Sequence, residues 1–125
     1  MIKSRRSFII GIKGTKLNRK EISFIKKYKP WGVILFKRNI KTIEQTKRLT
    51  NSIRKIYKDK NFPILVDQEG GRVARLNNII LSTAFPGNFF GNMFKKDPKN
   101  LNYYLDIYIN QISYLLREIG INLNT

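Results

Sequence analysis

Pro63-Ile64-Leu65-Val66-Asp67-Gln68-Glu69-Gly70-Gly71-Arg72-Val73-Ala74-Arg75 runs from a short apolar strand straight into two carboxylates, two glycines and two arginines. The chain holds 8 Asp and Glu against 25 Lys and Arg, and two of those eight acids fall within three residues of each other here, where the strand ends. That concentration marks a site. Asp67 and Glu69 are two apart, so on an extended backbone they point to the same side. Paired carboxylates can serve as acid and nucleophile in glycoside hydrolysis. They can also hold Mg²⁺ or Ca²⁺ through oxygen ligands, or bind sugar hydroxyls by charge-assisted hydrogen bonds. The structural alternative is that one of them pairs with Arg72 or Arg75. Gly70-Gly71 lets the backbone turn through conformations other residues avoid. Neither G-x-G-x-x-G nor a P-loop pattern occurs, which argues against a nucleotide or dinucleotide site.

Outward from this stretch, the sequence alternates strand and helix. Phe8–Ile12 is a short β-branched run read as the first strand. Asn18 as N-cap and Glu21 three residues on form a capping box. The helix they open carries Ile22, Ile25 and Tyr28 on one face and closes at Pro30. Trp31–Phe36 is a second strand, apolar throughout as when both faces are covered, with Lys37-Arg38-Asn39 at its C-terminal end. Thr42 and Gln45 suggest another capping box. Its helix turns Leu49, Ile53, Ile56 and Tyr57 inward and Lys47, Arg54, Lys55 and Lys58 outward. A loop, residues 59–62, leads to the third strand, Ile64–Val66. Residues 70–96 read as a long irregular loop, a length that is usually functional in a compact domain. Asp97 and Pro98 open the third helix, whose apolar face runs from Leu101 to Ile119, and Gly120 stands as its C′ residue. Residues 121–124 begin a fourth strand.

This alternation implies a parallel sheet with right-handed crossovers, as a doubly wound open sheet or as part of a (β/α)₈ barrel. In both, polar residues at C-terminal strand ends line the site, and Arg38, Asn39, Asp67, Glu69 and Arg75 fall on that side. Trp31, Phe85, Phe89, Phe90 and Phe94 are read as core or loop-anchoring aromatics. A complete barrel takes about 250 residues, so the 125 residues are expected to be the N-terminal part of a longer protein, ending within the barrel.

Composition narrows the chemistry. Hydrophobic residues make up 42% and aromatics 12%, enough for a packed core. With no Cys and no His there is no disulfide framework, no thiolate or imidazole metal site, and no Ser-His or Cys-His nucleophile. The formal charge of +17 raises the alternative of a basic nucleic-acid-binding α/β domain. The cations are spread over every helix and no nucleic-acid motif accompanies them, so a compositional bias accounts for them better. Ser4-Arg5-Arg6-Ser7-Phe8-Ile9 looks like a twin-arginine signal. Lys13 and Lys16 break the apolar run that such a signal needs, and the chain reads as cytoplasmic.

Asp67-Gln68-Glu69-Gly70-Gly71-Arg72-Val73 resembles the DQEGGRV signature of bacterial family 3 glycoside hydrolases, the β-N-acetylhexosaminidases of the NagZ type. Gly32–Asn39 is similar to the family's G-x-I-L-F-x-R-N strand, Ala84-Phe85-Pro86-Gly87 to the segment after the DQEGG loop, and residues 120–124 to the strand that leads into "APVLDV". The resemblance implies the N-terminal part of a (β/α)₈ TIM barrel, about four strands and three helices, with residues 1–125 as a family 3 N-terminal domain. It implies a retaining exo-hydrolase for terminal β-linked N-acetylglucosamine, with muropeptides of peptidoglycan recycling as the expected substrates. On this reading Asp67 and Arg75 bind the sugar. Arg38, Asn39, Glu69 and Arg72 support the site, Glu69 by orienting the loop through an arginine. Ile12-Lys13 stand where relatives often carry acids and are read as outside the site. The family's nucleophilic Asp and its His-Asp acid/base pair match no position of this chain, so no catalytic residue is assigned within it. No cofactor, metal, nucleic acid or membrane is expected as a partner. The remaining alternative is a non-catalytic half-barrel that dimerises.

Overall fold

A computed structural model of the chain describes residues 4–125. The first strand, β1 (Arg6–Gly11), starts two residues earlier than expected, because the Arg6 amide donates to the Lys29 carbonyl and Arg6 pairs with Pro30. Helix α1 (Arg19–Tyr28) begins at the Asn18–Glu21 capping box, both arms of which are formed. It stops at Lys29, which adopts the left-handed conformation (φ 48°) and turns the chain into β2 (Pro30–Leu35). Helix α2 (Ile43–Tyr57) is capped by Thr42, whose hydroxyl accepts from the Gln45 amide at 3.1 Å. The return arm differs from the expected box: the Gln45 carbonyl oxygen reaches one residue further back, to the Lys41 amide. Lys58 (φ 50°) ends α2 as Lys29 ends α1, and β3 (Ile64–Val66) follows.

The region from Gly70 to Lys96 is not irregular throughout. It contains a single 3₁₀ turn, Ser82–Ala84, and a ten-residue helix, α3 (Gly87–Lys96). The described residues therefore form four α-helices where the sequence suggests three. Helix α4 (Pro98–Glu118) ends in a full Schellman motif. The Gly120 amide donates to Arg117 O, the Ile121 amide to Leu116 O, and Gly120 sits at φ +79°. The last strand, β4 (Leu123–Asn124), is two residues long.

All four strands are parallel and lie in the order β1-β2-β3-β4. Each pairs with the next, with no switch point where the order reverses. That separates the two architectures left open by the sequence, since a doubly wound sheet reverses its order and carries helices on both faces. Here Val33, Leu35, Ile64 and Val66 face one way, into a core shared with Ile25 of α1, Leu49 and Ile53 of α2, and Ile112, Leu116 and Ile119 from α4 and its end. On the opposite parity Leu65 is buried, while Ile9 and Leu123 on the outer strands are 45% and 39% exposed. This is the N-terminal (β/α) portion of a TIM barrel: helices outside, the other face turned to the barrel axis.

Two details of the core depart from the sequence reading. Phe62, placed in a loop, is wholly buried and stacks on Tyr57 with ring centroids 3.9 Å apart. Arg54, placed outward, is half-buried beneath Gly120, and burial lowers its pKa. Arg5 ion-pairs with Asp59 and lies over Phe62, so the arginine of the Arg5-Arg6 pair nearest the terminus is built into the domain. Among the described residues no helix is long and apolar enough to cross a membrane.

Candidate functional site

The C-terminal ends of β2 and β3 bring Asp67, Arg75 and Arg38 together. Asp67 leaves β3 directly, and Arg75 returns to it after the glycine turn. The Arg75 guanidinium donates to Asp67 Oδ2 at 3.2 Å, and both side chains keep about a third of their surface exposed (28% and 30%). A charge-assisted pair that stays open to solvent can share a ligand hydroxyl, the carboxylate accepting its proton while the guanidinium donates to its oxygen.

Phe36, at the end of β2, supports the pair from the side. Its ring centroid lies 5.8 Å from the Arg75 guanidinium carbon and 4.6 Å from that of Arg38. Arg38 donates from Nε to the Ile12 carbonyl at 3.1 Å. Asn39 is fully buried and is a brace: it donates to the Ile12 and Gly14 carbonyls and accepts from the Phe36 amide. Ile12-Lys13 thus enters the architecture through a backbone carbonyl, while the Ile12 side chain is in the core.

Glu69 and Arg72 stand apart from this cluster. Both are exposed, and among the described residues Glu69 forms no ion pair with any arginine. The arginine contact expected for it is not formed. Its backbone amide instead donates to the Val73 carbonyl at 2.9 Å, part of the bridge that closes the loop between Gly70 and Val73. Arg72 lines an open groove with Lys37, Asn77 and Pro86.

The two glycines are required on two counts. Both have positive φ, +89° at Gly70 and +59° at Gly71. A Cβ on Gly70 would meet the Phe85 carbonyl oxygen, and one on Gly71 would come within 2.7 Å of the Pro86 ring. The Phe85-Pro86 segment therefore packs directly onto the turn, with Phe85 also against Phe89 and Tyr108.

Sequence reasoning passed over Gln68, Asn124 and Tyr108. Gln68 is buried, and its Oε1 accepts from the Arg75 and Leu76 amides at 2.8 and 3.0 Å. Asn124 accepts from the Gln68 amide and donates to its carbonyl. The signal was available: on extended backbone the residue between two outward carboxylates points the other way. Burial raises the pKa of Tyr108, partly offset by its contact with Gln68. Among the described residues no cluster of carboxylates is arranged to hold a metal.

No family model matches the chain. A β-hexosaminidase of Xanthomonas campestris is 31% identical over 116 residues, 93% of this chain and 34% of that protein. The β-hexosaminidase of Haemophilus influenzae is 40% identical over a shorter stretch of 72 residues. Among solved structures, native NagZ from Neisseria gonorrhoeae superposes with a TM-score of 0.78 at 30% identity, covering 96% of this chain and 35% of that one. A family 3 β-N-acetylglucosaminidase from Paenibacillus gives 0.72 at 29% identity, covering 94% of this chain and 22% of that one. A Neisseria NagZ in complex with N-trifluoroacetyl-D-glucosamine also superposes, with a TM-score of 0.63. The chain spans about a third of the length of the curated relatives it matches over most of its residues.

Proposed function

The chain belongs to the NagZ-type β-hexosaminidases of glycoside hydrolase family 3, and on that premise we propose that it forms the sugar-holding part of a β-N-acetylhexosaminidase site. The observation that carries this is the Asp67–Arg75 pair, set 3.2 Å apart at the mouth of the barrel end and open to solvent. Asp67 accepts hydrogen bonds from hydroxyls of a terminal N-acetylglucosamine, and Arg75 donates to the same sugar. The substrate class is a β-linked N-acetylglucosaminide, with muropeptides released in cell-wall recycling as the physiological form.

The reaction we assign to the complete site is a retaining hydrolysis. A carboxylate attacks the anomeric carbon, the glycosidic oxygen leaves with a proton from an acid, and water then releases the sugar from the covalent intermediate. The chain has no His, and Asp67 is engaged by Arg75, so we place the nucleophile and the acid on polypeptide outside these residues. The 125 residues bind and orient; they do not cleave.

Titration of N-acetylglucosamine into the 125-residue chain, followed by ligand-observed NMR, tests the reading. Asp67→Ala is expected to weaken binding by at least about tenfold, the scale of losing a hydrogen bond to a charged group. Arg75→Lys should weaken it too, because an ammonium cannot reproduce the planar fork. Equal binding by Asp67→Ala, or none by the unchanged chain, would sink the assignment.

A further inference from the structure

Seven residues separate Asp67 from Arg75 along the chain, yet the two side chains meet. What closes that distance is a residue neither exposed nor charged. Gln68 is 5% exposed, and its Oε1 holds the backbone amides of both Arg75 and Leu76. The return leg of the loop is thereby tied to the residue next to Asp67. Gln68 is itself held from β4: Asn124 Oδ1 accepts from its amide at 2.9 Å and Asn124 Nδ2 donates to its carbonyl at 3.0 Å. This two-way pair imitates a peptide group and carries the β3–β4 ladder one step past its last backbone pairing, Val66 with Asn124. Asn122 makes the same kind of pairing two residues earlier, accepting from the Ile64 amide and donating to the Phe62 carbonyl. Tyr108 of α4 closes the far side, with its hydroxyl beside the Gln68 amide and against Gly70.

We propose that Gln68 is the positioning residue of the sugar site and that Asn124 fastens it, so that the docking of β4 sets the distance between Asp67 and Arg75. The proposal deepens the reading of Asp67 and Arg75 as a sugar clamp and rests on it. Gln68 touches no substrate. Its effect reaches the sugar through the backbone of Arg75, and its acceptor oxygen is the atom that matters. Gln68→Glu keeps that oxygen and its reach, whereas Gln68→Leu fills the space and leaves the Arg75 and Leu76 amides without this acceptor.

The experiment uses the isotope-labelled 125-residue chain, with amide exchange as one readout and affinity for N-acetylglucosamine as the other. In Gln68→Leu the Arg75 and Leu76 amides should exchange at least about tenfold faster, and the sugar should bind at least about tenfold more weakly, as expected for lost buried hydrogen bonds. Gln68→Glu should restore both to within about threefold, since a carboxylate accepts amide hydrogen bonds at least as well. Leu49→Ala, a core truncation far from the loop, controls for general destabilisation: it lowers the melting temperature but leaves the affinity of the folded chain unchanged. Protection of the Arg75 amide that survives Gln68→Leu overturns the proposal, and so does a Gln68→Glu variant as impaired as Gln68→Leu. Absence of sugar binding by the unchanged chain, with the exchange pattern as described, upholds the Gln68 anchor and overturns the sugar reading instead.

Discussion

Tyr57 shows how one side chain ties stability to pH. Its ring lies flat on Phe62, and burial pushes its phenol up from 10.0 to about 12, with the Arg5 guanidinium pulling slightly the other way. The folded state keeps this proton more tightly than the unfolded state. The contribution is therefore whole below pH 10 and is lost as the pH climbs from about 10 to about 12, on the order of 2 kcal/mol. Urea unfolding between pH 9 and 11.5 should show the parent chain losing stability relative to Tyr57→Phe; parallel curves would remove the phenol from the account. At the same scale, Asp67 was legible because acids are scarce in this chain, and Arg75 through the resemblance its motif carries. The alternation of strand side chains marks Gln68 as inward-facing, but what it holds, and the part Asn124 plays, stay hidden until their partners are known. Those partners lie up to 56 residues away, a distance that no local rule spans.

Elements were legible where their ends were chemically marked. Asn18 with Glu21, Thr42, and Gly120 each supply a side chain or a backbone freedom that a helix terminus demands, and α1, α2 and α4 begin or end where those residues stand. Helix α3 has no such marker. Its N-cap is Pro86, which offers no side-chain acceptor, and its ten residues include Gly87 and Gly91. It forms because Phe85 and Phe90 pack on Tyr108 of α4 and Phe89 packs on both of them, a tertiary gain that propensity does not register. Gly91 differs from Gly70 and Gly71 in having open space where a Cβ would go and no positive φ. Gly91→Ala is thus expected to stabilise the chain by about 0.5–1 kcal/mol, read as a rise in melting temperature by circular dichroism. Destabilisation would show that the position is crowded.

At the scale of the molecule, part of the positive charge is crowded onto one surface. The end of the sheet opposite the sugar site gathers Arg5, Arg6, Lys26, Lys27, Lys29, Lys55, Lys58 and Lys60 around the C-termini of α1 and α2, with Asp59 as the acid among them. Helix C-termini welcome cations, but so many like charges also repel one another. Raising the salt from about 10 mM to about 0.2 M shortens the screening length from roughly 30 Å to below 10 Å, and the melting temperature should rise. A fall would mean that the ion pairs outweigh the repulsion. Overall topology was legible as alternation, while the choice between barrel and open sheet was not, because it depends on which strands lie side by side. That neighbour order, β1 to β4 without a reversal, also bears on how the chain is made. Each strand emerging from the ribosome finds its partner already synthesised and waiting at the growing edge. No segment must be held unpaired for a later arrival to slip between its neighbours. The sheet can therefore assemble in the direction of translation, one unit at a time.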